Sequence, residues 1–281
     1  MVSASSDIVS YLLSHFVYQY QYLTNKNLAF NTINSYLYTL KLFNKIYHKH
    51  FNKQNLQKFK SFLLDKHTAN TINLRIRGIN CYLEFINKKH LKLSSVKVQT
   101  KNFLENVISE ADYEYFKKKL KKYNLFWYFV IRFLAATGAR VSELIQIKAE
   151  HIQLGYLDLY SKGGKIRRIY IPVKLQQEAI RWLNQQGLSS GFIFRNRFGD
   201  RITPRGISGQ LKQLAIKYKI NTKVVYPHSF RHRFAKNFLA KYNDIALLAD
   251  LMGHESIETT RIYLRKTSLE QRAIVDNIID W

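Results

Sequence analysis

Four separated polar motifs carry the residue types that could perform chemistry in this sequence. The first is ATGARVSEL at residues 136–144, where a glycine precedes Arg140 at the start of a predicted helix. An arginine there is commonly a surface residue, but it can also present its planar fork of donors to a phosphate, helped by the helix N-terminus. Glu143, three residues later, could stabilise the helix or hold that guanidinium in place.

The second motif is SKGGK at residues 161–165, with a lysine on each side of a glycine pair. It lies inside HIQLGYLDLYSKGGKIRRIYIP, residues 151–172, whose period-two alternation predicts a β-hairpin or a three-stranded sheet. A lysine at such a tip is usually only solvated. A hairpin tip can also enter a DNA groove and deliver an ammonium group to a backbone oxygen.

The third motif is YPHSFRHRFAKN at residues 226–237, where a proline suits the first turn of a helix. His228, Arg231 and His232 then fall at i, i+3 and i+4 on one face. Two histidines four residues apart can bind zinc, but the glutamate of an HExxH motif is absent and the chain has one cysteine. We therefore expect no metal, and favour a phosphate clamp formed by His228 and Arg231.

The fourth motif is MGHESIETTRIYLR at residues 252–265. Gly253 allows a tight turn, His254 follows it, and Tyr263 comes nine residues after that histidine. This spacing is weak by itself because the chain contains 19 tyrosines, and helices often need an aromatic side chain to pack.

Together the four motifs supply what metal-free cleavage of a phosphodiester requires. Fixed guanidinium and imidazolium donors can stabilise the extra negative charge of a pentavalent phosphorane. A tyrosine can form a covalent ester that conserves the bond energy. A flexible lysine can protonate the leaving 5′-oxygen.

Composition favours a polyanionic partner. The chain has 45 Lys and Arg against 19 Asp and Glu, a net charge of +26 that is spread along its length. Such a balance is typical of nucleic-acid binding, although a basic solvated surface or an anionic membrane are alternatives. The N-terminus lacks the pattern of a signal peptide, and the most apolar segment, 125–136, is too short for a bilayer. We expect a cytoplasmic, nucleoid-associated protein with no membrane partner.

The elements that position these motifs are predicted to be mostly helices, because the chain has only three prolines and eleven glycines. Apolar stripes predict helices from Thr32 to about residue 47, over residues 56–67, and from Thr68, whose hydroxyl should cap the helix. Ser109 and Asp112 predict a further helix start.

Residues 91–102, LKLSSVKVQTKN, lack a helical stripe and predict an extended basic linker. We place the first domain, a small helical bundle, at residues 1–98 and a linker at 99–108. The second domain, residues 109–281, holds all four motifs.

The order of these motifs resembles that of the tyrosine recombinase/integrase family, particularly the small Xer-like recombinases and the transposon and phage integrases. TGARVSEL, SKGGKIRRIYIP, HSFRHRFA and MGHESIETTRIY carry the resemblance, which covers nearly the whole chain. It implies a mainly α fold, with an N-terminal, SAM-like helical core-binding bundle. The second domain would be a mostly helical catalytic domain with a small antiparallel β-sheet, and the two would form a clamp around DNA.

Carried over to this sequence, the resemblance implies that Arg140 and Arg231 clamp the scissile phosphate. Lys162 would be the acid for the 5′-hydroxyl leaving group, with Lys165 as the alternative because both flank the glycine pair. The other residues expected to contact DNA are Lys41, Lys45, Arg75, Arg77, Lys165 and Arg167.

The resemblance also implies roles for the histidines and the tyrosine. His228 would act as acid or base near the tyrosine, and His254 would donate a hydrogen bond to a nonbridging oxygen. Tyr263 would form a 3′-phosphotyrosine. Glu143 and His232 would hold these catalytic residues in position.

The implied partners are specific sites in double-stranded DNA, with no cofactor. Four protomers would act on two synapsed sites, as a homotetramer or together with a related recombinase. The tail LRKTSLEQRAIVDNIIDW would dock on a neighbouring protomer or pack on its own domain. Its apolar strip comprises Leu269, Ile274, Val275, Ile278 and Ile279.

Two other functions fit the same motifs. A type IB topoisomerase-like enzyme would use similar chemistry to relax DNA as a monomer, and a non-catalytic DNA-binding regulator could retain the fold. A separate core-binding domain and an apolar tail favour recombination over relaxation.

Overall fold

The computed structural model describes residues 17–99, 105–160, 166–264 and 268–278. The chain divides into two compact units, Met1–Thr100 and Lys101–Trp281. Both lysines of the SKGGK motif lie outside the described residues, and so do Ile279 and the side chain of Leu269.

The first unit is a helical bundle. Its helices are α1 over residues 17–25, α2 Phe30–Tyr47, α3 Lys53–Lys66 and α4 Ala69–Phe85, followed by a 3-10 turn at Lys89–Leu91. The predicted apolar stripes form its core, in which Phe43, Phe59 and Ile79 are fully buried. This confirms the helices predicted in this part of the chain.

Thr68 occupies the N-cap position of α4 as predicted, but its side chain does not cap the helix. Its hydroxyl lies 3.2 Å from the hydroxyl of Thr71 instead. The sequence therefore predicted the start of α4 correctly, but the hydrogen bond that was expected to cap it is not formed.

The residues that follow the bundle are extended, as predicted, but those described are tied to α4. Asn80 donates to the carbonyl of Leu93 and accepts from its N–H, and Asn73 does the same with Val96. Seven residues of helix rise about 10.5 Å, and three residues of extended chain span about 10 Å. Two asparagines seven apart can therefore pair with two extended residues three apart.

The second unit is also mostly helical, and its described residues include an antiparallel pair of strands. Its elements are α5 Glu110–Tyr123, α6 Leu125–Thr137, α7 Val141–Leu144, α8 Ala149–Leu154, β1 Tyr156–Tyr160, β2 Ile166–Tyr170, α9 Val173–Gln185, α10 Pro204–Lys217, α11 Pro227–Lys241, α12 Ile245–Met252, α13 Ile257–Arg261, a 3-10 turn Ile262–Leu264 and α14 Ser268–Ile278. Ser109 caps α5 as predicted, accepting from the N–H of Asp112 at 3.0 Å. The strands pair with Leu157 opposite Ile169, which confirms the hairpin.

The core of the second unit surrounds α6, the most apolar helix. Phe133 and Leu134 on α6 are fully buried, and Phe194 packs edge-on against Phe133. α11 packs against α6 and brings the third motif next to the end of the first. None of the described helices is both long and apolar enough to cross a membrane.

Candidate active site

Helix α11 carries the third motif, and Pro227 occupies its first turn, where a missing N–H costs nothing. The i, i+3, i+4 spacing places His228, Arg231 and His232 on consecutive turns, as predicted. The Arg231 side chain is 3% exposed, whereas His228, at the helix start, is exposed.

Arg231 is held by the carboxyl ends of two other helices. One guanidinium nitrogen, Nη1, donates to the carbonyl of Gly138. The other, Nη2, donates to the carbonyl of Met252 at 2.7 Å and to Nε2 of His254 at 3.0 Å. The last carbonyls of a helix have no partner within it and carry its negative dipole end, so they suit a buried cation. Burial, and then the charges of Arg140 and Arg167, lower the pKa of Arg231 to about 10, so it stays charged at neutral pH.

Two glycines make these helix ends possible. Gly138 ends α6 with φ 63° and Gly253 ends α12 with φ 61°, a region that L-residues rarely adopt. A Cβ on Gly138 would lie 2.4 Å from the ring of Phe234, and one on Gly253 would lie 2.3 Å from Cδ of Arg167. The turn predicted at Gly253 is confirmed.

Arg140 is the N-cap of α7 and the more open of the two clamp arginines, with its side chain 37% exposed. Its Nη1 donates to Glu143 at 2.8 Å, and its Nη2 donates to the carbonyl of Gly253 at 3.0 Å. Glu143 also accepts from the backbone N–H of Arg140 at 2.7 Å. The carboxylate therefore both stabilises the start of α7 and fixes the guanidinium, the two roles that the sequence left open.

Arg167, which we expected to contact DNA, forms hydrogen bonds within the site. Its side chain is 11% exposed; Nη1 donates to Glu143 at 2.7 Å, while Nε and Nη2 donate to the carbonyl of Leu251. Arginine at this position of β2 faces inward and connects the hairpin to the end of α12. These hydrogen bonds hold the parts of the site together.

One carboxylate is thus shared by several guanidinium groups. Burial acts to raise the pKa of Glu143, but the charge of Arg167 and the hydrogen bonds from Arg140 outweigh it and the pKa is lowered. Arg231 approaches the same carboxylate to 4.0 Å. Three positive charges around one negative charge leave a local excess that an anion such as a phosphate would neutralise.

Tyr263 lies close to these arginines, and all of these residues belong to the same chain. It belongs to the 3-10 turn after α13 and is 6% exposed. Its hydroxyl lies 3.1 Å from Nδ1 of His232. Burial raises the pKa of this phenol, and the nearby Arg231 partly offsets that effect. The hydroxyl is therefore protonated at neutral pH.

His254 is packed against both the tyrosine and the clamp. Its ring is nearly parallel to that of Tyr263, with centroids 6.4 Å apart. A guanidinium can only donate, so Nε2 of His254 accepts from Arg231, and Nδ1 then donates to the hydroxyl of Thr260 at 2.7 Å. Burial, and then the charge of Arg231, lower the pKa of His254 to about 4. Donation from Nε2 to a phosphate, the expected role, requires the phosphate to replace His254 as the partner of Arg231. It also requires the ring proton to move from Nδ1 to Nε2, so that Nδ1 accepts from the hydroxyl of Thr260.

The structure brings together the described members of the predicted set, namely Arg140, Glu143, His228, Arg231, His232, His254 and Tyr263. Lys162 and Lys165 lie outside the described residues. Sequence reasoning missed the inward position of Arg167 and the part played by Thr260. Neither has a local signal, because their partners are backbone carbonyls or residues brought near by the fold.

The expected DNA contacts of the first unit divide into two kinds. Lys41, Lys45 and Arg77 are exposed on α2 and α4. Arg75 instead crosses from α4 to α2: its Nη1 donates to the carbonyl of Ser35 at 3.1 Å and to the hydroxyl of Thr39 at 3.2 Å. In this position Arg75 joins two helices.

In the tail, α14 presents its described apolar side chains to solvent. Ile274, Val275 and Ile278 are 39%, 49% and 63% exposed. Packing of these three on their own domain, one of the two expected arrangements, is therefore not seen in the described part of the tail.

Comparison with known proteins gives consistent results. The model of the phage integrase family matches residues 97–270. The chain is 28% identical over 272 residues to the tyrosine recombinase XerA of Pyrococcus furiosus, which covers 92% of this chain and 93% of that protein. It is also 28% identical over 272 residues to XerD of Staphylococcus haemolyticus, covering 88% and 92%.

Solved structures share the fold at lower identity. XerH recombinase bound to its difH substrate superposes with a TM-score of 0.69 at 20% identity, covering 89% of this chain and 81% of that one. The Tn1549 transposon integrase bound to transposon right end DNA gives 0.67 at 16% identity, covering 92% and 99%.

Proposed function

This chain belongs to the phage integrase family of tyrosine recombinases, and on that premise we propose how it acts as a site-specific DNA recombinase. Tyr263 attacks a phosphodiester of duplex DNA and forms a 3′-phosphotyrosine, one pair of strands at a time. The observation that carries the proposal is the buried hydroxyl of Tyr263 beside Arg231, in a cluster with an excess of positive charge.

The clamp residues have separate tasks in this proposal. Arg231 and Arg140 bind the nonbridging oxygens of the scissile phosphate and stabilise the charge that develops on attack. The carbonyls that already hold both guanidinium groups keep them oriented before DNA arrives. His254 donates from Nε2 to a nonbridging oxygen once the phosphate has taken its place beside Arg231 and the ring proton has moved from Nδ1 to Nε2. His228, exposed at the start of α11, completes the phosphate site.

The proposed reaction is a transesterification that uses neither a metal ion nor ATP. The bond from the Tyr263 oxygen to phosphorus forms as a base in the site takes the proton of the phenol, while the bond from phosphorus to the 5′-oxygen breaks and Lys162 supplies the proton that this oxygen takes up. The 5′-hydroxyl of the other duplex then attacks the phosphotyrosine and gives its proton to Lys162, and the released phenol recovers its proton from the base. One phosphodiester is exchanged for another, so no external energy is required.

We further propose the assembly that this chemistry serves. Residues 1–98 act as the core-binding domain and residues 109–281 as the catalytic domain, and the protein works on DNA in the cytoplasm, at the nucleoid. Four protomers act on two synapsed sites, as a homotetramer or with a related recombinase. The exposed apolar side chains of α14 support a docking role for the tail in a neighbouring protomer.

The test is covalent capture in cells that carry the native DNA. Wild type and Tyr263→Phe are denatured in SDS, and the protein-linked DNA is recovered and its ends sequenced. We expect adducts at one reproducible junction for the wild type and none for Tyr263→Phe. Tyr226→Phe, at the start of α11, is the matched control and should retain the adduct.

Each other outcome has a definite meaning. Adducts from Tyr263→Phe would show that another tyrosine is the nucleophile, and DNA binding without any adduct would favour the regulator. Strand exchange between two copies of the junction supports recombination, whereas relaxation of supercoils without exchange would favour the topoisomerase-like enzyme.

A further inference from the structure

We infer that His232, the residue after the clamp arginine, is the base that accepts the proton of the Tyr263 hydroxyl during attack on the phosphate. This inference rests on the proposed function and deepens it. The family resemblance implied instead that His232 supports the other residues and that His228 acts as acid or base near the tyrosine.

Geometry separates the three histidines of the site. Nδ1 of His232 lies 3.1 Å from the Tyr263 hydroxyl, and the two rings are 5.5 Å apart between centroids. His254 is stacked on the tyrosine, but its two nitrogens are engaged by Arg231 and Thr260. His228 lies one helical turn earlier than His232, with the two ring centroids 6.3 Å apart.

The charge state of His232 suits a proton acceptor. The charged or titratable groups that face it are His228 and Arg231 from α11 and Tyr263 from the 3-10 turn. Burial, and then His228 and Arg231, lower the pKa of His232 to about 4, so its ring is neutral at pH 7. The negative charge of a bound phosphate would offset those cations and make the ring more basic when attack occurs.

The tyrosine needs such an acceptor. Its buried phenol has a raised pKa, so hardly any phenolate exists at neutral pH in the absence of a base. In the proposed step the proton moves from the phenol to Nδ1 of His232 as the bond from oxygen to phosphorus forms. The resulting imidazolium returns the proton to the phenol oxygen when the strand is religated, so the cycle leaves His232 unchanged.

The test uses the duplex whose junction the capture experiment identifies, made with sulfur in place of the bridging 5′-oxygen. A thiolate leaves without a proton, so the step assigned to Lys162 no longer limits the rate. Single-turnover cleavage is measured between pH 6 and 9 for wild type, His232→Gln, His232→Asn and His228→Gln. DNA binding by each protein, measured in parallel, reports correct folding.

For wild type we expect a rate that is nearly independent of pH from 6 to 8, because the His232 ring is already fully deprotonated to its neutral form in that range. His232→Gln should be slower by about 100-fold or more at pH 7. Its rate should rise about tenfold per pH unit, since the phenolate must then form by itself. His232→Asn, which can still form a hydrogen bond but does not titrate, should behave in the same way.

Three results would overturn the inference. A wild-type rate in His232→Asn, or an equal loss at every pH in His232→Gln, would make His232 a positioning residue only. A rising pH profile in His228→Gln, without one in His232→Gln, would assign the base to His228. The absence of any wild-type adduct would remove the proposed function, and this inference with it.

Discussion

At the scale of single residues, the candidate site is built from arginines held by backbone oxygen atoms. The carbonyls of Leu251, Met252 and Gly253, at the end of α12, accept hydrogen bonds from Arg167, Arg231 and Arg140 respectively. These are carbonyls that a helix end leaves without an internal partner. The same contacts satisfy the helix end and orient the cations, so the site is ordered before any ligand binds.

Gly253 ends α12 and also lies against Arg167, so it affects both the helix end and the orientation of the arginines. The substitution Gly253→Ala tests this double role. The new Cβ would lie 2.3 Å from Cδ of Arg167, in addition to the strain of φ 61°. We expect the free energy of unfolding to fall by about 2–4 kcal/mol, from about 1 kcal/mol of backbone strain and about 1–3 kcal/mol of steric overlap. Cleavage should slow more than tenfold as Arg167 releases Glu143. Urea denaturation and single-turnover cleavage measure the two effects.

The control for this substitution is Gly187→Ala, whose φ is 63° but whose Cβ would meet no atom within 4 Å. It should lose only the backbone contribution and cleave at the wild-type rate. Equal losses in the two variants would mean that contact with Arg167 has no part in the stability or the activity of the site.

The motifs predicted which residues would come together, but they did not predict the detailed contacts. Spacing placed His228, Arg231 and His232 on one helix face, and α11 carries them so. Which histidine meets the tyrosine depends on where the turn after α13 packs against α11, and that is decided by tertiary contacts. The contacts of Arg167 were not foreseen for a related reason: its partners include a backbone carbonyl 84 residues away, which has no signature in the sequence.

At the scale of elements, apolar periodicity predicted the helices well and polar contacts between them poorly. The stripes of α2 and α4 are buried as expected. The asparagine pairs that fix residues 93–96 against α4 were not anticipated, because Asn73 and Asn80 look like ordinary polar residues of a helix. An extended basic segment therefore appeared to be a linker although its described part is an edge of the first unit.

Arg75 is the clearest test at this scale because it was expected to contact DNA and instead joins α4 to α2. Arg75→Met would remove its hydrogen bonds to Ser35 and Thr39, leaving their oxygens without these donors. We expect the free energy of unfolding to fall by about 1–3 kcal/mol, with little change in the salt dependence of DNA binding. Urea denaturation and fluorescence anisotropy at several salt concentrations measure both quantities.

Arg77→Met is the matched control, two residues away on the same helix and exposed. It should keep the stability of the wild type and reduce the slope of log affinity against log salt by about 0.9, the loss of one phosphate contact. If Arg75→Met reduced the salt slope and Arg77→Met reduced the stability, Arg75 would be the residue that contacts DNA.

At the scale of the whole molecule, the net charge of +26 overstates the charge available to DNA. Arg233, for example, is buried and donates to Glu110 at 2.6 Å. Arg75 and Arg167 are occupied within their own units. Composition counts all these residues equally, whereas the fold separates cations that hold elements together from cations that face solvent.

The exposed cations of α2 test whether the remaining charge acts by contact or only through its long-range field. We expect the double variant Lys41→Gln/Lys45→Gln to reduce the slope of log affinity against log salt by about 1.8, since each lost phosphate contact contributes about 0.9. Anisotropy titrations with the captured junction duplex from low to moderate salt provide the measurement. The control is Lys53→Gln/Lys58→Gln on α3, which removes the same charge from another exposed surface of the first unit. Equal slopes in the two double variants would show that α2 does not contact the phosphates and that its lysines act only through the field.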